Sequence, residues 1–477
     1  MEAEGVPPSA TEADASPAAN SPTTPGSGAA TNDVPATPKR FRAIIVGGGP
    51  NGLGMAHALT LAGIDYVLLE RSQHVVNPDG ASIALWPHSV RIMDQFGLLD
   101  EARALSTSMK DKYNVLPDGT VRDSNRMFEQ VEVNHGHPWM LFRRTKLLGL
   151  LHQSLPDKEE RILTNKHVTR IETHDDGVSV LCKDGSIMEG SIVVGCDGVH
   201  SRVRQILREK QLLSGQRPTD SKKPMKTTYN GLVGLCPLPA SLKTGTVWEC
   251  RGGKGRSFHI LTGPEDAYFF VYQRLDKPHY ERPRYTDEDA EALARNVMDH
   301  PVTDHLKFSD LWKAKKWATL VDYQEGFLDR WCGERVVLVG DSVHKATPNA
   351  GLSLNTGWQG MAELTNRLRA LLLTDASPDT ETLTALFEGY QESRKKIAKA
   401  TMSFSGLYTR VVAWDNAAYR FADWLAPKVG GDILLLNHLA SPIISRSITF
   451  DFVEEKEHKE GKIRWKNPPK TNGKSRK

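Results

Sequence analysis

Cysteine is scarce in this chain. Five occur in 477 residues (Cys182, Cys196, Cys236, Cys250 and Cys332), and none forms a C-x-x-C pair. That excludes a disulfide scaffold and a zinc ribbon, and fits a reducing compartment. A charge excess of one sign is also missing: the net charge is +3, with no arginine-rich groove or aromatic RNA motif, so no nucleic-acid partner is expected. His200 and His344 each follow a glycine motif but stand at no metal-ligand spacing from Cys, Asp or Glu, so no metal is expected either. Long apolar runs are absent too. The two longest, at 43–64 and 431–444, are broken by glycine, proline and polar residues, and neither reads as a transmembrane helix. Residues 1–38 carry neither the basic start and apolar core of a secretory signal nor the arginines of a transit peptide. Their Ala, Pro, Ser, Thr and Gly predict disorder. A cytoplasmic protein is expected, with peripheral contact to an internal membrane as an alternative.

What is present is a chain with 39% hydrophobic and 25% charged residues, enough for two large, intimately joined cores. Its organising stretch is RAIIVGGGPNGLGMAHALTLAGIDYVLLER, residues 42–71. An apolar run suited to a buried parallel strand leads into Gly47, Gly49 and Gly52 in G-x-G-x-x-G spacing. Apolar residues at helical spacing follow, then a second apolar run ending on Glu70. Gly47 allows a tight turn, Gly49 lets backbone approach a pyrophosphate, and Gly52 lets the helix lie close on the strand. The helix start offers free N–H groups and a positive dipole end to that anion, and Glu70 would accept from ribose hydroxyls. A dinucleotide site follows; whether for FAD or NAD(P) stays open at this point.

Further along, the small residues of 77–87, Gly80 and Ala84 among them, would admit a flat ring, although a plain loop also explains them. A helix is predicted over 141–151 with Arg143 and Arg144 at its start, where cations oppose the dipole. A phosphate would relieve them; a solvated basic turn is the alternative. Asp-Gly turns at 176–177 and 184–185 predict an antiparallel meander from 167 to 197. Its last strand, 191–198, ends in Asp197-Gly198. Alternating runs from 227 to 274 suggest an antiparallel sheet that could wall a substrate pocket. At 334–341 a buried strand ends in Gly340-Asp341, ahead of a glycine-containing helix start, where open α/β sheets bind ligands, although such an aspartate could equally cap the turn itself. The rest reads as helical. Trp414, Tyr419, Phe421 and Trp424, with Arg410 and Arg420, could pack a helical core or lie at a membrane surface.

Three separated motifs, GGGPNG with Glu70, CDGVHSRVR and GDSVHKATPNAG, together resemble the single-component FAD-dependent aromatic hydroxylase family, the group of para-hydroxybenzoate hydroxylase, over residues 40–410. The stretches GASIALWPHSVRIMDQFGLLD and FRRTKLLGLL are most similar to fungal flavin monooxygenases of secondary-metabolite pathways, which act on polyketide or meroterpenoid skeletons. The organisation expected is α/β. A Rossmann-like FAD-binding domain takes 39–225 and 325–400, a mixed or antiparallel-sheet substrate domain 226–324, a helical C-terminal region 401–455, and a loose charged tail 456–477. The resemblance implies that Gly47, Gly49 and Gly52 hold the FAD pyrophosphate and Glu70 its adenosine ribose. Gly80, Ala84, Arg144, Asp197, Asp341, Gly351 and Leu354 would complete the cofactor site, with Arg204 (or Arg202) and Tyr229 as catalytic candidates. It implies reduction of FAD by NAD(P)H, O2 addition at the flavin C4a to a hydroperoxide, and oxygen transfer to a small-molecule substrate. Only one G-x-G-x-x-G unit is present, so the nicotinamide would dock transiently. Two departures stand out: Ser353 replaces a usual glycine, and Trp358-Gln359-Gly360-Met361 replaces a usual Glu-Asp. Epoxidation of an isoprenoid olefin and a flavin-binding reductase without oxygen insertion are the alternatives; oligomeric state is not readable.

Overall fold

The apolar run after Phe41 forms the strand Arg42–Val46, buried from Ala43 onward. In the computed structural model, which describes residues 40–78, 80–213, 215, 220 and 223–469, this strand lies inside a six-stranded sheet. The disorder expected over 1–38 lies outside the described residues. Its neighbours Asp65–Leu69 and Ile192–Gly195 run parallel to it, and Val336–Leu338 extends the parallel order beyond Ile192–Gly195. Burial on both faces explains why these strands read as continuous apolar runs rather than alternating ones. The helices Pro50–Ala62 and Ser353–Leu372 pack against each other beside the sheet. Gly63, at φ 69°, ends the first of them in the left-handed conformation that glycine adopts without cost.

Two local expectations change. The meander is Val168–His174, Gly177–Cys182 and Ile187–Gly190. The strand after it, Ile192–Gly195, leaves the meander for the parallel sheet, because Ile-Val-Val has no polar face to give to solvent. That move carries Asp197 to the carboxyl edge, beside the glycine turn. The helix predicted over 141–151 begins only at Arg144: Met140–Arg143 is a strand paired with Ser82–Leu85.

The second layer is a mixed eight-stranded sheet. Its centre is Met225–Pro237, Trp317–Phe327, Asp266–His279, Arg256–Thr262 and Thr246–Gly253. It reaches beyond 226–324, since Asp111–Val115 and Val121–Asn125 join one edge and His344–Lys345 the other. The alternation along one strand decides what each face does. Ala267, Phe269 and Val271 turn toward the helices Asp287–Arg295 and Phe308–Lys313, packing on Phe308, Leu311 and Trp312. Tyr268, Phe270 and Tyr272 take the opposite face, where the functional site lies.

The long helix Thr380–Val412 starts on an Asp379 cap and is followed by the short helices Ala417–Leu425, Gly431–Leu435 and Ser441–Ile444. Within 456–469, Glu457 pairs with Arg103 at 2.5 Å and the Lys466 N–H donates to the Ser445 carbonyl at 2.7 Å. Glu455 pairs with Arg91 at 2.6 Å, both side chains buried, and the Trp465 ring lies 4.5 Å from the same guanidinium. A buried arginine needs a carboxylate, and the C-terminal segment supplies it. No helix among the described residues is long and apolar enough to cross a membrane.

Candidate active site

The glycine turn closes because side chains are missing where two segments meet. At Gly47 (φ 106°) a Cβ would stand 2.8 Å from the Asp197 Cα, and at Gly52 one would stand 1.8 Å from the Gly47 carbonyl oxygen. At Gly49 a Cβ would meet nothing within 4 Å, and no side chain caps the helix that starts there. The turn therefore presents an open helix N-terminus, the arrangement that suits an anionic phosphate. The Glu70 carboxylate spans the turn, accepting from Gly48 N–H at 2.7 Å and Ser72 N–H at 2.8 Å.

Asp197 caps the helix Arg202–Leu213 through one oxygen, which accepts from the N–H groups of Arg202 (2.6 Å) and Val203 (3.0 Å). Its other oxygen, Oδ1, is buried without a hydrogen-bond partner among the described residues, at the wall of a cleft that the glycine turn also lines. Burial pushes this carboxyl above the ordinary carboxylate range. A buried acceptor left free at a cleft wall suits a hydroxyl donor from a ligand.

Asp341 sits in the tight turn Gly340–Ser342 after the strand Val336–Leu338. Gly340 (φ 71°) is pressed on the Asn51 side chain, which a Cβ would meet at 2.4 Å, so this turn and the glycine turn touch. Burial would raise the Asp341 carboxyl, but Lys345 and a 2.7 Å bond from the Ser353 hydroxyl outweigh it and hold it below its ordinary range. Ser353 thus has a task that a glycine could not perform. The second departure is also accounted for: the buried Trp358 donates its indole N–H to the Pro50 carbonyl at 3.0 Å, and Gln359 donates to the His88 carbonyl at 3.0 Å.

Two cavities result. One, of about 450 Å³, is lined by Gly47, Gly49, Glu70, Arg144, Asp197 and Asp341. The other, of about 340 Å³, runs between Ala84, Gly351 and Leu354 on one side and His259, Phe270 and Tyr272 of the large sheet on the other. Pro50, Asn51, Arg144 and Asp341 border both. Gly80 stands behind Arg144, whose Cδ a Cβ there would meet at 2.8 Å. Arg143 turns away to Asp266 at 3.7 Å. Gly351 (φ 61°) keeps the loop 348–354 close to Ala84, and Asn355 ties the two, its amide donating to the carbonyls of Ala84 (2.9 Å) and Gly351 (2.7 Å).

The two catalytic candidates lie elsewhere. Arg204 borders neither cavity; its guanidinium donates to the carbonyls of Val199 (2.7 Å) and Ser342 (2.8 Å), joining the Asp197 and Asp341 loops. Arg202 borders the first cavity, with its side chain donating to the Thr169 carbonyl at 2.9 Å. Tyr229 is fully buried and donates to Asp415 at 2.8 Å, outside both cavities. Of the large sheet, Tyr272 and His259 rather than Tyr229 line the second cavity. Burial holds the His259 imidazole down at about 4, against the opposing pull of Glu249. Alternation in 266–272 was the signal that could have found Tyr272.

A cleft at the carboxyl ends of a parallel sheet, with an open helix end and a buried free carboxylate oxygen, defines a dinucleotide-binding protein. A family model described as an FAD binding domain matches residues 40–405, and the chain belongs to this family and with it to the FAD-dependent monooxygenases. It is 38% identical over 373 residues to the FAD-dependent monooxygenase srdH of Neurospora crassa, covering 75% of this chain and 83% of that protein. It is 32% identical over 438 residues to the FAD-dependent monooxygenase DEP2 of Alternaria brassicicola, covering 90% and 82%. Klebsiella pneumoniae HpxO, solved with FAD and uric acid, shares the fold with a TM-score of 0.68 at 20% identity, covering 85% of this chain and 97% of that one. The residues described here fit FAD, and FAD is its cofactor.

Proposed function

We propose that this enzyme uses NAD(P)H and O2 to hydroxylate an aromatic, polyketide-derived or meroterpenoid intermediate of secondary metabolism. The observation that carries this reading is the second cavity, which has the size of a small-molecule site and shares Asp341 and Arg144 with the cofactor cleft. Bound FAD supplies the two-electron redox chemistry and the activated oxygen. The protein's own part is to bind, orient and shield. Gly47, Gly49, Glu70, Arg144, Asp197 and Asp341 would hold the cofactor, with Gly52 and Gly80 giving the loops their paths. Ala84, Gly351 and Leu354 would bound the flavin side of the substrate. Trp139, Leu141 and Phe270 exclude water from the reacting centre. Tyr272 and the neutral His259 face the substrate space, where the imidazole can accept a hydrogen bond from a substrate hydroxyl and so orient it. The nicotinamide donor would dock transiently, since the sequence holds a single G-x-G-x-x-G unit. The relatives' names support oxygen insertion over flavin binding alone.

The test is turnover of candidate polyphenols and prenylated phenols with NADPH under isotopically labelled O2. One labelled oxygen on an aromatic ring is the expected product. An epoxide would move the reaction to the olefin. NADPH oxidation with peroxide release and no oxygenated product from any candidate would contradict the reading. Comparing metabolites of strains with and without the protein then identifies the natural substrate.

A further inference from the structure

Acids and apolar residues part company in the segment that follows the long helix. The two carboxylates among residues 416–440 point inward: Asp423 pairs with Arg251 and Arg122, each at 2.8 Å, and Asp432 with Lys112 at 2.8 Å. Asp432 also accepts from Asn114 and Asn125, each at 2.9 Å. The outward side is the reverse. Phe421 is 60% exposed, Trp424 55% and Val429 50%, with Leu425, Leu434 and Leu439 also open to solvent. Phe421, Trp424 and Leu425 stand at helical spacing on the outer face of Ala417–Leu425, and the Phe421 and Trp424 rings stack 5.6 Å apart. Behind them a mainly apolar recess of about 380 Å³ opens between Phe404, Leu407, Leu425, Val429, Leu434 and Leu439.

The exposed Lys and Arg among residues 416–440 are Arg420 and Lys428. Neither has a carboxylate partner among the described residues: each lies over an indole ring, Arg420 at 5.0 Å from Trp414 and Lys428 at 3.3 Å from Trp424. Exposed apolar residues grouped in this way differ from singly scattered surface apolarity and point to a partner surface. The charge selects the occupant. A second copy meeting this face by two-fold symmetry would bring cation against cation, with the segment's own acids turned away. An anionic bilayer meets both features: aromatic rings settle at the headgroup level and cations against the phosphates and carboxylates.

We propose that the face formed by residues 417–439 docks this enzyme on an anionic lipid bilayer. Phe421 and Trp424 enter the boundary between headgroups and acyl chains, and Arg420 and Lys428 contact the headgroups. The proposal does not depend on the oxygenation reading. It is tested with the full FAD-loaded chain and vesicles of phosphatidylcholine with or without phosphatidylserine, by flotation and by the Trp emission shift. Sedimentation velocity follows the oligomeric state in parallel. Binding to the phosphatidylserine vesicles, weakened by salt, is expected. Phe421→Ser with Trp424→Ser should abolish it, and Arg420→Glu or Lys428→Glu should each lower partitioning at least about fivefold, with flavin content and melting temperature unchanged. Four results would each overturn the proposal: binding to neither vesicle, equal binding to both, binding that survives the double variant, or a dimer that the double variant dissolves.

Discussion

Ser353 stands where the family resemblance calls for glycine, and its hydroxyl donates to the Asp341 carboxylate at 2.7 Å. The consequence is a pH effect. A carboxyl held below its ordinary range contributes stabilisation that is present above the ordinary value and lost as pH falls through the lowered one. Ser353→Ala removes one of the interactions that lower the Asp341 carboxyl, so acid release of flavin should begin at higher pH than in the parent. A flavin-release titration between about pH 5 and pH 3 measures this. An unchanged profile would mean that Lys345 alone sets Asp341. The tyrosines make a second residue-level contrast. Tyr229→Phe breaks a buried bond to Asp415 and should cost roughly 1–3 kcal/mol in denaturant unfolding while leaving kcat/KM within about twofold. Tyr272→Phe, at the cavity wall, should change kcat or KM instead. The family resemblance pointed to Tyr229 on this sheet, and no residue pattern singled out Tyr272. Both stand on alternating runs, and only the order of the eight strands decides which one meets the cavity.

At the scale of elements, the dinucleotide unit was readable because its strands are apolar on both faces and its turn needs glycine at fixed offsets. Gly52→Ala would drive a Cβ to 1.8 Å from the Gly47 oxygen, so the folded variant should lose flavin altogether, as an absorbance spectrum would record. The bracing between elements was not readable. Arg204 carries no local signal that it reaches the Val199 and Ser342 carbonyls at once, and its motif position suggested chemistry instead. Arg204→Ala should weaken FAD binding about 10- to 100-fold, through two lost charged hydrogen bonds, and Lys should not restore it, since one ammonium lacks the guanidinium's fork. Flavin fluorescence titration measures both variants. The tail shows the same limit: Trp465 reads as part of a loose charged end until Arg91, far away in sequence and paired with Glu455, gives its ring a buried partner.

Across the whole molecule, burial keeps several imidazoles neutral. Burial pushes His88 down to about 3 and His57, His135, His137, His259 and His344 to about 4. Each binds a proton more readily in the unfolded chain, so between about pH 6.5 and pH 4 stability falls as pH falls. The melting temperature should drop by several degrees from pH 7 to pH 5; a flat profile would show that these rings are charged or solvated in the folded enzyme. At this same scale lies the central claim, that segments around Gly47, Asp197 and Asp341 close on one FAD and set it against a substrate cavity. The most direct test is the visible spectrum of the purified protein, recorded as isolated, after NAD(P)H under argon, and after air is readmitted. A yellow protein that bleaches and recovers is predicted. A colourless protein that FAD cannot reconstitute, or a flavin that NAD(P)H leaves oxidised even with substrate present, would contradict it.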